Sequence, residues 1–325
     1  LTVIAFSNQM ISDMDRVKSL MNTGKTYCLL GSSGVGKTTL LNNLLGKDLL
    51  ETQSVREKDS RGKHTTSRRQ LIILNTGAMV IDTPDGLAIF DTFDAKFVAQ
   101  LEEALAAQFP GKPVKWVVYS HNHLDHVRGS AGLGAEEVIG HKSVNQFVAD
   151  WPKSISDFAP VNRPVEGDVT VNLGGIEVDF LYMPHSHSQT LYGFHVRGAD
   201  VVFAPDMMFV RAFPPFDFPD FYYPGYVRAL DRLIAVDAAH YIPSHLGEGT
   251  RQDLVDFRNM TATFHETVRA ELAGSDYFAA DGAAMRRGLQ AAYDKLEPEY
   301  GDWHGFNEMF VPKFGRHWGG VYLGY

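Results

Sequence analysis

From Met79 onward the chain alternates between short apolar runs of strand length and longer segments whose apolar positions recur every three or four residues. "AMVID" and "LAIFD" flank the turn residues Pro84-Asp85-Gly86 and predict a hairpin. "DAKFVAQLEEALAAQF" predicts an amphipathic helix ended by Pro110-Gly111, and "VKWVVYS" the strand after it. Further strands are predicted at "VTVNLGGIEVDFLYM", "LYGFHV" and "DVVFAP". A helix over 225–236 then precedes the short strand "HYIPS". From 251 the pattern is mostly helical until an aromatic, glycine-rich tail, "FGRHWGGVYLGY". This alternation predicts an α/β domain from about residue 78. Ahead of it, "KTYCLL" reads as a buried strand and "KTTLLNNLLG" as a helix closed by Gly46. The expected division is 1–75 and 76–325.

Composition changes this picture little. The 325 residues carry a net charge of −9, which argues against general binding to nucleic acid or anionic membranes. Cys28 is the single cysteine, so no internal disulfide framework and no cysteine-built zinc finger is expected. No apolar run reaches the length of a membrane span, and the opening "LTVIAFSNQM" is a poor signal peptide. A cytoplasmic location is therefore expected. One segment departs from the average: residues 54–70 hold Arg56, Lys58, Arg61, Lys63, Arg68 and Arg69 against Glu57 and Asp59. A solvated loop is the first reading; a switch loop facing phosphate or RNA is the second.

"GSSGVGKT", Gly31 to Thr38, fits G-x-x-x-x-G-K-[ST] between a predicted strand and helix. The backbone and side chains of Gly31, Ser33, Gly34, Gly36, Lys37, Thr38 and Thr39 are the candidate nucleotide contacts, with Mg²⁺ at Thr38. With "RGKHTTSRRQLIIL" and "VIDTP", this stretch resembles the circularly permuted GTPases of small-ribosomal-subunit assembly over residues 3–84. The resemblance implies Mg²⁺-dependent GTP binding and leaves ribosome or RNA contact through 54–70 as the lesser reading. It is incomplete: no Asn-Lys-x-Asp precedes the phosphate loop, and Asp85 stands where the switch glycine belongs. Residual phosphate binding is expected and regulated GTP turnover is not.

"SHNHLDHVRG" places His121, His123, Asp125 and His126 directly after a predicted strand. His121 and His123, two apart in an extended segment, project to one side and can share a metal; Asp125 and His126 can address a second. This motif resembles the metallo-β-lactamase fold hydrolases, over about 78–260. On that resemblance "YMPHSHSQTLYGF" offers His185, with His187 as its neighbouring competitor; "VVFAPDMMF" offers Asp206; and "HYIPSHLGEGT" offers His245. His121, His123 and His185 would hold one metal, Asp125, His126 and His245 the second, with Asp206 bridging. Asp125 would orient the nucleophile or manage its proton. Asp91 is a candidate for orienting the ligand loop, or else a strand-end cap. The remaining histidines, among them His141, His195, His240, His265, His304 and His317, are expected to be structural or exposed.

The resemblance implies a metallo-β-lactamase-like αββα sandwich, preceded by a partial P-loop α/β segment. It also implies a dinuclear hydrolase of a small ester-like substrate (ester, lactone, thioester or sulfate ester), using a metal-bridging hydroxide. Two Zn²⁺ ions are expected, with manganese or iron as alternatives. The alternative function is a GTP-binding ribosome-assembly factor. The aromatic stretch "FVRAFPPFDFPDFYYPGY", whose prolines forbid a regular helix, is either an apolar substrate wall or loop packing. The helical tail is open to homodimerising, covering the site or padding the domain.

Overall fold

A computed structural model describes residues 71–73, 78–214, 221–245, 247–273 and 282–322, with side chains from 78 onward other than those at 318 and 322. All belong to the compact unit Gln70–Tyr325. The phosphate-loop residues 31–39, the basic stretch 54–70, and Phe216 and Phe218 lie outside the described residues.

The predicted hairpin forms as β2 (Met79–Thr83) and β3 (Gly86–Phe90). Gly86 adopts φ +150, and a Cβ there would meet the Pro113 carbonyl at 2.9 Å. Helix α1 (Ala95–Gln108) follows; the Asp94 carboxylate caps it by accepting from the Phe97 N–H at 2.7 Å. Then come β4 (Val114–Val118), the single-turn α2 (Leu124–Val127), β5 (Glu137–His141), α3 (Val144–Ala149) and β6 (Arg163–Val165). Strand β1 (Leu71–Ile73) pairs antiparallel with β2, Leu71 opposite Ile81, so this sheet runs β1-β2-β3-β4-β5-β6. Strands β3 to β6 are parallel.

A second sheet runs β11-β10-β9-β8-β7, built from β7 (Val169–Leu173), β8 (Ile176–Tyr182), β9 (Tyr192–Val196), β10 (Val201–Phe203) and β11 (His240–Ile242). Helix α4 (Tyr223–Ile234) stands between β10 and β11 and begins two residues earlier than the pattern predicts. Pro224 falls in its first turn, where a missing N–H leaves no helical bond unmade. Helices α5 (Arg251–Ala273), α6 (Gly282–Tyr300) and α7 (Phe306–Tyr322) close the described chain. The glycine-rich tail is thus helical through Tyr322, because Phe306, Phe310 and Phe314 stack one turn apart into the core. None of the described helices is long and apolar enough to cross a membrane.

The layers follow from strand alternation. Met79, Ile81, Ala88 and Phe90 face the second sheet and meet Val178, Phe180, Phe194 and Phe203. Val80, Leu87 and Ile89 face the other way, onto Val98, Leu101 and Leu105 of α1. Beyond the second sheet, Val202 meets Leu230 and Leu233 of α4 within a core shared with α5, α6 and α7. The result is the expected αββα sandwich, its strands apolar on both faces. Phe209, Phe213 and Tyr226 are buried in the helical core, and with Phe221 and Tyr223 they also line a small pocket against Met260 and Phe264 of α5. His265 and His317 pair there, Nδ1 to Nε2 at 3.0 Å, as interior structural groups.

Phe194 anchors the inter-sheet core, edge-on to Phe90 at 5.0 Å and to Phe180 at 4.8 Å. Phe194→Ala is expected to lower the unfolding free energy by about 3–5 kcal/mol, read as a reduced denaturant midpoint with unchanged slope.

Candidate metal centre

The candidate ligands stand on loops at one end of the two sheets. Tyr119 continues β4 by bonding the Ile139 carbonyl, and His121 follows directly. His123 sits at the entry to α2, which carries Asp125 and His126. Asp206 follows β10 and His245 follows β11; these parallel strands stay paired into the loops, the Ala204 and Asp206 N–H groups donating to the Ile242 and Pro243 carbonyls. The backbone turns sharply where it must re-aim a side chain. Asp91, Asp206 and Ser244 adopt φ of +58, +58 and +66, a region non-glycine residues occupy at some energetic cost.

Two groups of ligand atoms converge. His121, His123, His187 and Asp206 form the first; Asp125, His126 and His245 form the second. The structure corrects one expectation: His187, not His185, joins His121 and His123. His187 is fully buried, its Nε2 lying 3.2 Å from His121 Nε2 and 3.0 Å from His123 Nδ1. His185 is exposed, at φ +53, and its carbonyl is pressed against Gly225 of α4, where a Cβ would stand 1.5 Å from that oxygen. The turn at His185 sends its ring outward and brings the next odd-numbered side chain in. Asp206 lies between the groups. Its Oδ2 is 3.5 Å from His121 Nε2, 3.3 Å from His187 Nε2 and 3.0 Å from His126 Nε2, while its Oδ1 is 3.3 Å from His245 Nε2.

Hydrogen bonds behind the rings decide which nitrogen faces inward. Asp91 accepts from the Ser120 N–H (2.7 Å), from Ser120 Oγ (2.7 Å) and from His126 Nδ1 (2.8 Å). Because Ser120 Oγ gives its proton to Asp91, it accepts from His121 Nδ1 at 2.8 Å. Both rings thereby turn Nε2 to the centre, the arrangement a metal-binding imidazole needs. Asp91 is an orienting group and not merely a strand cap. Asn122 links the two histidine loops: its N–H donates to Thr190 Oγ1 at 3.0 Å. Its Oδ1 accepts from Ser188 Oγ at 2.9 Å and Thr190 Oγ1 at 2.7 Å. Sequence reasoning missed Asn122, Ser188 and Thr190, whose only signal was their interleaving with the histidines.

The donor set fits a divalent cation. Ligands held about 2.0–2.1 Å from a tetrahedral zinc stand about 3.3 Å apart, close to the spacings of the first group. His126 Nε2 is buried and makes no hydrogen bond, despite lying 3.0 Å from Asp206. Electrostatics agree. Burial works to raise the Asp206 carboxyl, yet the charge and close approach of His126 and His187 hold it well below the usual range. Burial likewise works to lower His126, but the Asp206 and Asp91 carboxylates carry it well above its ordinary value. Burial, with His126, His123 and His187 around it, keeps His121 well below its ordinary value. The centre favours positive charge beside Asp206 and a bare ring nitrogen at His121.

The family model of the metallo-beta-lactamase superfamily matches residues 74–245. The chain belongs to that superfamily. It is a metal-dependent hydrolase by this membership. The fold is shared with a stereoselective inverting sec-alkylsulfatase from Pseudomonas sp. (TM-score 0.53, 16% identity, covering 73% of this chain and 50% of that one). It is shared too with a metallo-beta-lactamase family protein from Thermus thermophilus (TM-score 0.51, 17% identity, 71% and 93%). Ahead of this superfamily domain, an RsgA GTPase model matches residues 1–93. Small ribosomal subunit biogenesis GTPase RsgA 2 of Lactiplantibacillus plantarum is 56% identical over 71 residues, 22% of this chain and 20% of that protein. The RsgA protein of Xanthomonas euvesicatoria is 53% identical over 75 residues, 22% and 21%. The chain spans about a fifth of the length of these curated relatives.

His187→Ala is expected to lower the metal content of this hydrolase, and His185→Ala to leave it at the wild-type level, by elemental analysis of untagged protein. Asp91→Asn, which weakens the hold on both His121 and His126, should reduce metal affinity about 10- to 100-fold in a competitive chelator titration.

Proposed function

We propose that this superfamily member hydrolyses a small ester-like substrate, an ester, lactone, thioester or sulfate ester, at a dinuclear centre with zinc as the favoured ion. Manganese and iron suit the same nitrogen and oxygen donors. One observation carries the reading: a single carboxylate, Asp206, turns one oxygen to the His121 and His187 group and the other to His245. His121, His123 and His187 would hold one ion, Asp125, His126 and His245 the other, with Asp206 common to both. Bound there, such ions supply Lewis acidity and bring the pKa of water to roughly 7.

The chain's own groups supply the rest. Asp125 is half-exposed, and its Oδ2 lies 3.7 Å from both His126 Nε2 and His245 Nε2. From that position it can orient an incoming water and take its proton on Oδ2. Its carboxyl is held below the ordinary range although burial opposes this, because the His245 hydrogen bond and the His126 charge outweigh burial. It is therefore ionised and can accept a hydrogen bond from that water. His121 and His126, locked by Ser120 and Asp91, keep the centre from relaxing as charge develops. Sulfate esters are included by analogy of fold with the sec-alkylsulfatase.

The test separates this reading from nucleotide chemistry at the phosphate loop. About two transition-metal ions per chain are expected in protein purified without added metal, and chelation should abolish ester hydrolysis. His123→Ala should also abolish it, whereas Lys37→Ala should leave it intact. The opposite pattern in the two variants would overturn the hydrolase reading.

A further inference from the structure

Five large apolar side chains stand exposed among the described residues, and one of them, Phe93, lies at the metal centre. Its ring is 39% exposed and meets the His245 imidazole edge-on, with centroids 6.2 Å apart. His245 is itself partly open, and Asp125 beside it is half-exposed. Of the other ligand rings, His121, His126 and His187 are buried and His123 is half-buried. The accessible side of the centre is therefore marked by Asp125, His123, His245 and Phe93, and of the open ligands Phe93 meets His245.

The segment that presents Phe93 is held on both sides of that residue. Asp91 is fixed by Ser120 and His126. The Thr92 N–H donates to the His126 carbonyl at 3.1 Å, and its hydroxyl adds a second, longer contact at 3.4 Å. Asp94 caps α1, and its carbonyl is packed against Gly129, where a Cβ would approach within 2.5 Å. A second ring, Phe97, backs Phe93 edge-on at 6.4 Å. A large apolar ring is thus kept in the open on a tightly clamped loop, next to the exposed ligands. A ring already fixed in place loses little freedom on meeting a substrate.

We propose that Phe93 is a substrate-contacting, specificity-determining residue that takes the apolar body of the substrate as its reacting group meets Asp125 and His245. This rests on the hydrolase reading above and deepens it: the favoured substrates carry an alkyl or aryl group next to the scissile bond.

The test measures binding by calorimetry to the zinc-reconstituted protein, using methylphosphonate and octylphosphonate as probes. Wild type is expected to prefer the octyl compound by about tenfold or more. Phe93→Ala should cut that preference at least about fivefold, and Phe93→Leu should restore most of it. An unchanged preference in Phe93→Ala would overturn the inference while leaving the metal centre standing. So would an equal loss of affinity for both probes, which would mean the ring acts only by positioning His245. If neither phosphonate binds wild type, the metal-centre reading itself fails, and this one with it.

Discussion

A buried carboxylate among imidazole rings is the constraint around which this end of the molecule is arranged. Asp206 is almost wholly removed from water, and its pKa lies far below the ordinary value, so it is ionised there. An ionised group in such a place is tolerable only with positive charge or a cation close by. His121, His126, His187 and His245, drawn from separate loops after β4, β8 and β11, each bring one ring nitrogen to it. The backbone concessions cluster here for the same reason. Asp206 sits in the left-handed region, its N–H spent on Pro243 and its carbonyl accepting from the Tyr226 hydroxyl at 2.9 Å.

That last bond ties the centre to the helical side of the domain. Tyr226 belongs to α4, whose first turn also receives the His185 carbonyl against Gly225, while the Tyr222 N–H bonds the Ser186 carbonyl at 2.9 Å. The loop carrying His187 is therefore clamped twice, by α4 on one side and by Asn122 on the other. Among the described residues, the helices after 250 supply none of the ligands; they pack on α4 through Phe257, Phe264 and their neighbours.

The histidine motif was legible because its chemistry is compressed into six consecutive residues after a strand, and the hairpin because Pro-Asp-Gly between apolar runs admits few alternatives. The choice between His185 and His187 was not legible. In "HSHS" either register places a ring after the strand, and what decides is a positive φ at His185 together with the close approach of Gly225, far along the chain. The Asn122, Ser188 and Thr190 bridge was invisible for a related reason, since hydrogen-bonding partners far apart in sequence leave no local pattern. In α7, glycines at 315, 319 and 320 suggested a tail, but burial of three phenylalanines along one face outweighs their weak helix propensity.

Residues 74–93 are matched by both family models, one ending at 93 and the other beginning at 74. In the structure this shared stretch holds β2 and β3. A strand has two edges through which it can hydrogen-bond. Those of β2 are taken by β1 and β3, and those of β3 by β2 and β4. No edge is left over. Among the described residues, both family matches therefore meet on strands of one sheet. The first sheet is the one that holds them, and the Asp91 turn that orients His121 and His126 begins where β3 leaves it.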